Sequence, residues 1–213
     1  MTALPLVLAS ASPRRRDLLT RLGFACEYAA ADIDEDSIPY RTPREYAVKT
    51  AYAKALKVAE FRPRALIIAA DTIVVLDGQI YPKPADRADA IRILSAIQGR
   101  THEVITAVAV LESGRSAMLD AVSTAVTLRA LTLAEIEEYV DTGEPMDKAG
   151  AYAAQGRGRA LIERIDGDYF NVVGLPLGLL LNMLESHMPV AEYRKRLALL
   201  PNPFDGSVGK QPS

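Results

Sequence analysis

The sequence predicts an α/β fold in which one mixed β-sheet is flanked by helices. Apolar, strand-like runs alternate with helical patterns in the first half of the chain, an order typical of parallel strands joined through helices. Two long alternating runs follow at 103–111 and 117–128. Ser113 and Gly114 join these runs and favour an antiparallel pair, so both kinds of pairing are expected in one sheet.

Residues up to 98 are predicted to alternate between strands and helices. Apolar and β-branched runs predict the strands, and apolar residues at helical spacing predict the helices. Gly23 is expected to end the first helix, and Asp77 with Gly78 is a hairpin signal. In chain order the expected elements are strand 6–9, helix 14–22, strand 25–31, helix 43–61, strand 65–76, strand 79–81 and helix 86–98.

The rest of the chain is predicted to complete the sheet and to end in helices. Thr132 and Glu135 form a capping-box pattern, so a helix is expected to begin there and to stop at Gly143. Residues 1–200 are predicted to form one domain, and 201–213 a flexible tail of proline, glycine and polar residues. The other expected elements are a glycine-bearing loop 150–158, a hairpin of strands 161–165 and 169–173, helix 175–184 and helix 190–200.

The composition excludes several classes of protein. The chain has 213 residues and a net charge of −2, which argues against a general nucleic-acid-binding protein. Cys26 is the only cysteine, so no intrachain disulfide can form, and it is interpreted as a small buried hydrophobe. His102 and His187, the only histidines, lie too far apart in sequence to suggest a histidine-rich zinc site.

The sequence also bears on location and partners. No apolar run is long enough to span a membrane, and no signal peptide precedes the first strand, so the expected location is the cytoplasm, without a membrane partner. A homodimer is allowed, but the sequence does not set the oligomeric state.

The helix that follows the first strand has an unusual first turn. Ser12 is typical of an N-cap and Pro13 of the first helical position. Helices prefer Asp or Glu in this turn because of their dipole, yet here it carries Arg14, Arg15 and Arg16. An anion would meet free N–H groups and guanidinium groups together. The pattern favours a polyphosphate site, and the alternative is a basic turn exposed to solvent.

Asp71 interrupts an apolar strand. A carboxylate in that setting is costly unless it is paired, protonated or bound to a metal, so Asp71 is either functional or a hydrogen-bonded structural residue. Lys54, on a helix, and Lys83, whose neighbouring prolines restrict the backbone, are candidates for phosphate contacts. Glu35 lies in the acidic loop 32–36 and is a weaker candidate for a functional residue, because acidic loops are usually only solvated.

Gln155, in the glycine-bearing loop, is a candidate for recognising a nucleotide base. Its amide offers one acceptor and one donor, which complement the N3–H and O4 groups of uracil or thymine. A glutamate would instead suit the paired donors of guanine. The alternative is a loop glutamine that contacts only water.

Together these segments resemble the Maf family of nucleotide pyrophosphatases from residue 6 to residue 184. The matching segments are 8–15, 70–72, 83–84, 99–104, 147–152, 155–156 and 171–176. The resemblance implies a two-lobed, ITPase-like α/β fold with the active cleft between the lobes. It also implies hydrolysis of a nucleoside triphosphate to the monophosphate and pyrophosphate, with a divalent cation, Mg²⁺ or Mn²⁺.

The resemblance also implies roles for individual residues. Asp71 would be the proton acceptor, and Glu35 would help it to hold the metal, although the sequence does not separate base from ligand. Thr72 and Gln155 resemble the branch that acts on dTTP and UTP, whereas the 7-methyl-GTP branch carries glutamate at the late position. Ala107 stands where many members have glycine, and a small packing change is expected. The predicted substrate-binding residues are Ser12, Arg14, Arg15, Lys54, Thr72, Lys83 and Gln155.

Other functions are left open by the residues. The same cleft would serve a nucleotide-binding regulator of cell division without turnover, but Asp71 and the lysines favour an enzyme because a binder needs no base. A pyrophosphatase for 7-methyl-GTP or for damaged purine triphosphates is a further alternative, against which Gln155 and Thr72 argue.

Overall fold

Residues 4–112 and 116–204 are described by the computed structural model, and within them seven strands form one mixed sheet. The strand order is β2-β1-β3-β5-β6-β7, with β4 paired to β3. β1 runs parallel to β2 and β3, and every other pair is antiparallel, which confirms the predicted mixed sheet. The strands are β1 (Leu6–Leu8), β2 (Glu27–Tyr28), β3 (Leu66–Leu76), β4 (Gln79–Tyr81), β5 (Thr101–Glu112), β6 (Met118–Leu128) and β7 (Ile162–Asp166).

The helices begin at the residues whose chemistry suits an N-cap. Ser12, Thr42, Asp86 and Thr132 each accept a backbone N–H in the first turn, and Thr132 forms the predicted capping box with Glu135. The helices are α1 (Pro13–Leu22), α2 (Pro43–Ala59), α3 (Arg87–Ile97), α4 (Leu133–Asp141), α5 (Tyr169–Val173), α6 (Leu177–Leu184) and α7 (Ala191–Leu197). Short 3₁₀ segments cover Glu35–Ser37, Glu144–Asp147, Ala149–Ala151 and Gly156–Leu161.

Each face of the sheet carries its own hydrophobic core. Ile67 and Ala69 of β3 face α2, whereas Ile68 and Ala70 face α1, α3, α4 and α6 on the opposite side. Because both faces are covered, β3 reads as an almost continuous apolar run rather than an alternating one. The side chains of consecutive residues in β3 therefore enter different layers of the protein.

Two strand predictions differ from the structure. The predicted strand 169–173 is wrong: these residues form α5, because Asp168 Oδ1 accepts the N–H groups of Phe170 and Asn171 at 2.8 Å and 3.2 Å. The predicted strand 25–31 shortens to two exposed residues at the edge of the sheet.

The chain ends and the hairpin turn lie partly outside the described residues. Ser113 and Gly114 fall outside them, as do residues 205–213 of the predicted tail. The described part of that tail contacts the protein, since the ring of Phe204 lies 6.0 Å from that of Tyr169. Within 4–112 and 116–204, no helix has both the length and the hydropathy needed to cross a membrane.

Candidate active site

The candidate site lies at the carboxyl end of β1, where the connections before and after β2 run to opposite sides of β1. The chain leaves β1 through α1 to reach β2 on one side, then returns through α2 to β3 on the other side. Ligands of open α/β sheets bind in the crevice beyond the carboxyl end of such strands. A cleft of about 400 Å³ occupies this position.

The cleft is built by segments that lie far apart in the sequence. It is lined by the β1–α1 connection, by Lys54 of α2, by β3 and by the segment 147–155. The structure brings all of the predicted site residues together around this cleft. They are Ser12, Arg14, Arg15, Glu35, Lys54, Asp71, Thr72, Lys83 and Gln155.

Asp71 is a buried carboxylate with a cationic partner. It lies in the middle of β3 on the α2 face and is only 7% exposed. Lys54 projects from α2 and places its Nζ 2.7 Å from Asp71 Oδ1. The same Nζ lies 2.9 Å from Glu35 Oε1, so one ammonium group is bound between two carboxylates. This pairing compensates the cost of removing Asp71 from water.

Opposite Asp71 across the strands lies Ala107, which is fully buried on the same face. Its methyl group belongs to the core that packs under α2, together with Ala51 and Ala55. The small side chains of this layer allow α2 to approach the sheet and bring Lys54 to Asp71.

The basic turn of α1 divides between the cleft and the surface. Arg14 Nη1 contacts Asp147 Oδ2 at 3.1 Å, and both residues line the cleft. Arg16 points away from the cleft and lies over the ring of Tyr28, 4.3 Å from its centroid. Of the three arginines in this turn, Arg14 and Arg15 line the cleft, whereas Arg16 does not, because the helical turn directs it toward the β2 edge.

Arg15 is held on three sides by hydrogen bonds. Its Nε donates to the carbonyl oxygen of Gly174 at 2.7 Å, Nη1 donates to Ser10 Oγ at 3.2 Å, and Nη2 donates to Thr72 Oγ1 at 2.9 Å. Burial lowers the pKa of Arg15, and the nearby Asp71 carboxylate opposes this shift. The guanidinium nevertheless stays charged at neutral pH, so the cleft contains a cation of fixed orientation.

The segment 147–155 forms the opposite wall of the cleft, and hydrogen bonds to Glu144 and Tyr139 stabilise it. Glu144 Oε2 accepts the N–H of Gly158 at 2.8 Å and the hydroxyl of Tyr139 at 2.8 Å. Although burial opposes it, these hydrogen bonds lower the pKa of Glu144. The Tyr139 hydroxyl in turn accepts the N–H of Ala153 at 3.1 Å. Gln155, half-buried between these anchors, is thus carried on a restrained backbone.

Tyr152 lies on the same wall of the cleft and is held by a hydrogen bond to a buried histidine. Its hydroxyl lies 2.7 Å from His102 Nε2, and both side chains are buried. Burial lowers the pKa of His102 to about 4, so this histidine is neutral at physiological pH. His102 therefore supports the cleft wall and is not a cation facing a ligand.

Sequence reasoning missed several residues of the cleft. Lys148 lines it and donates to the carbonyl oxygen of Glu144 at 2.6 Å. Ser10 and Gly174 hold Arg15, and both lie within segments that the family resemblance had singled out. Cys26 is partly buried outside the cleft, and burial raises the pKa of its thiol to about 11, which is unfavourable for a nucleophile.

The geometry provides two chemically different zones. Cations and a helix N-terminus occupy one side of the cleft, where a polyphosphate could be neutralised. Glu35 and Asp71 provide carboxylate oxygens at the other side. In the described part of the chain, no cluster of three or more His, Cys, Asp and Glu side chains is placed to hold a metal ion.

Comparisons with known proteins identify the family. The model for Maf-like proteins matches residues 5–187. A dTTP/UTP pyrophosphatase of Caldanaerobacter subterraneus subsp. tengcongensis is 46% identical over 208 residues, covering 93% of this chain and 100% of the relative. A dTTP/UTP pyrophosphatase of Anaeromyxobacter dehalogenans is 52% identical over 175 residues, covering 81% of this chain and 88% of the relative.

A solved nucleoside-triphosphatase (dITP/XTP pyrophosphatase) of Mycobacterium abscessus aligns with 93% of this chain and 100% of its own length, at a TM-score of 0.43 and 14% identity. The family match over residues 5–187 and the relatives at 46% and 52% identity confirm the resemblance inferred from the motifs. The chain belongs to the Maf family.

Proposed function

We propose that the protein is a nucleoside triphosphate pyrophosphatase that hydrolyses dTTP and UTP to the monophosphate and pyrophosphate. The observation that carries this proposal is the cleft that brings cations suited to phosphate together with the Asp71–Lys54–Glu35 cluster, in which Asp71 is buried. The names of the curated relatives, which are aligned over most of the chain, support the same reaction and substrates.

The cations of the cleft bind and orient the triphosphate in this proposal. Arg15 is pre-oriented by its hydrogen bonds, so it loses little conformational freedom when it contacts a phosphate. Arg14 and Lys83 lie at the same cleft and add positive charge, and Ser12 caps the helix whose N-terminus lies there. Neutralising the phosphate oxygens favours attack by water on phosphorus.

Asp71 is the proposed general base. A carboxylate within reach of the attacking water can orient it and accept its proton. Lys54 holds the carboxylate of Asp71 at a fixed place and can contact the phosphate or Glu35 as the charges of the site change. Asp71 therefore has one oxygen paired to an ammonium group and a second oxygen available for the water.

Glu35 and Asp71 would together hold a divalent cation. Their oxygens converge on the single Nζ of Lys54 at 2.9 Å and 2.7 Å, so a divalent cation held by both would take the place of this ammonium group, which would turn to the phosphate. Mg²⁺ typically binds through one or two carboxylates, with substrate phosphates and waters completing the set, and two carboxylates fit that requirement. When bound, Mg²⁺ or Mn²⁺ would supply charge neutralisation at the phosphates.

Gln155 is the proposed contact for the pyrimidine base. Its amide can donate one hydrogen bond and accept one, as the uracil and thymine edges require. It is half-buried on the wall that Glu144 and Tyr139 restrain. A restrained amide distinguishes bases better than a mobile one, because a mismatched edge leaves a buried polar group unpaired.

Pyrophosphate release from a panel of triphosphates with Mg²⁺ tests the proposal. We expect turnover of UTP and dTTP above that of GTP, ITP and 7-methyl-GTP. A preference for a purine triphosphate would refute the proposed recognition of pyrimidines by Gln155, but not the pyrophosphatase activity. Tight nucleotide binding without any pyrophosphate release would refute the enzyme and favour a regulatory nucleotide-binding protein.

A further inference from the structure

A hydrogen-bonded chain extends from Arg15 into the core behind the cleft. Arg15 Nη2 contacts Thr72 Oγ1 at 2.9 Å, Thr72 Oγ1 lies 2.9 Å from Thr106 Oγ1, and Thr106 Oγ1 lies 2.8 Å from the carbonyl oxygen of Asn171. Thr106 and Asn171 are fully buried and do not line the cleft. The chain therefore links a cation of the cleft to residues that no ligand in the cleft touches.

The direction of every hydrogen bond in this chain is determined by its ends. The carbonyl oxygen of Asn171 can only accept, so Thr106 donates its hydroxyl proton to it. Thr106 must then accept from Thr72, which in turn uses its only hydroxyl proton. Arg15 can only donate, so Thr72 accepts from it. Thr72 has no proton left to donate to a ligand.

Asn171 is a rigid end point for the chain. Its Oδ1 accepts the N–H of Thr106 at 3.1 Å, and its Nδ2 donates to the carbonyl oxygen of Val104 at 2.8 Å and to Thr124 Oγ1 at 2.9 Å. Every polar atom of this buried side chain is therefore satisfied, which fixes its rotamer.

The C-terminal end of α5 holds Arg15 a second time. Gly174 follows α5 with a φ of 118°, and its carbonyl oxygen accepts Arg15 Nε at 2.7 Å. A Cβ at this position would lie 3.4 Å from Thr72 Oγ1 and 3.7 Å from Arg15 Nε. Asn171 and Gly174 thus act on the same guanidinium, one through two hydroxyl groups and the other directly.

We propose that Thr106 and Asn171 are positioning residues that set the orientation of Arg15 for the triphosphate. Thr72 then affects substrate binding through Arg15 and not as a hydrogen-bond donor to the substrate. This inference rests on the proposed function for its kinetic consequence. The orientation of Arg15 does not depend on the proposed function, because its hydrogen bonds form without a substrate.

Thr106→Val is the decisive variant, since valine keeps the shape and removes the hydroxyl. We expect KM for UTP and dTTP to rise about fivefold to tenfold, the effect of losing one hydrogen bond in a coupled network. A purely structural loss would lower the folded fraction and hence the apparent kcat, without a change in KM. Thr106→Ser keeps the hydroxyl and should restore KM.

Thr127→Val is the control for losing a cross-strand threonine hydroxyl from an exposed hydrogen bond. Thr127 and Thr101 form the same kind of cross-strand hydroxyl pair, at 2.8 Å between β5 and β6, and neither lines the cleft. This variant should keep the wild-type KM. Thermal unfolding of all three variants shows whether each is folded at the assay temperature.

A second measurement does not depend on turnover. The Arg15 Nε–H resonance, assigned through its absence in Arg15→Lys, should be visible by NMR in the wild type because Gly174 protects it. In Thr106→Val it should shift or broaden, and in Thr106→Ser it should return. An unchanged resonance, an unchanged KM in Thr106→Val or no rescue by serine overturns the proposal. If the wild type hydrolyses neither UTP nor dTTP, the proposed function fails, and the resonance alone decides the positioning.

Discussion

Replacing Lys54 by methionine should destabilise the protein through the carboxylate that it leaves behind. The side chains of Lys54 and Asp71 are only 13% and 9% exposed, so the pair is largely removed from water. Breaking a buried pair costs about 3–5 kcal/mol, because the remaining charge is uncompensated. Glu35, with a side chain 42% exposed, adds little since water screens it. We expect a loss of about 3 kcal/mol, the lower end of that range.

Thermal and urea unfolding, followed by circular dichroism, measure this loss. For a chain of this size, about 3 kcal/mol corresponds to a fall in Tm of about 6–12 °C. Lys57→Met is the matched control, because Lys57 lies on the same helix and pairs with Glu60 at the surface, where a pair contributes at most about 1 kcal/mol.

A double-mutant cycle separates the charge from the packing. Asp71→Asn removes the negative charge without changing the shape, so Lys54→Met should cost less in that background, by about 1–3 kcal/mol. If Lys54→Met were as stable as Lys57→Met, or if its cost were the same in the Asp71→Asn background, the pairing would not be what stabilises the buried carboxylate.

Three other changes test separate parts of the cleft. Asp71→Asn should lower kcat about 10²–10⁴-fold while nucleotide binding, measured by calorimetry, persists; near-normal turnover would contradict the assignment of the base. Gln155→Glu should shift the kcat/KM preference between UTP and GTP about tenfold toward GTP, and equal losses would mean that the residue shapes the loop only. Because burial lowers the pKa of His102 from 6.5 to about 4, the stability conferred by its neutral form is complete above pH 6.5 and is lost as the pH falls toward 4. His102→Gln should flatten this acid-induced loss in urea titrations, and an unchanged slope would assign it to other groups.

The residues that could be predicted are those whose local sequence breaks a rule. Asp71 interrupts an apolar strand and the arginines occupy a turn that prefers acids, so both stood out, and both Arg14 and Arg15 do line the cleft. The mixed pairing of the strands around them followed from the alternation of elements. The helix α5, which Asp168 caps, was missed because its five residues are too few to show a helical period.

Contacts between distant segments could not be predicted. Arg15 is bound by the carbonyl of Gly174, which is 159 positions later in the chain, and backbone acceptors carry no sequence signature. Glu144 likewise stabilises a loop through N–H groups of Arg157 and Gly158. Such contacts depend on how distant segments pack against each other, whereas the motifs indicate only which side chains belong to the site.

The neighbouring positions of Asp71 and Thr72 make β3 intolerant of changes in length. Asp71 faces the α2 layer and Thr72 the opposite layer, and β3 is registered against β5 from Leu66↔Glu112 to Val75↔Glu103. Deleting one residue upstream within β3 would exchange the faces of all residues on one side of the deletion. The carboxylate would then enter the layer of Arg15, and the threonine would meet Lys54. Natural variation in this strand should therefore consist of substitutions, with insertions and deletions confined to the turns at its two ends.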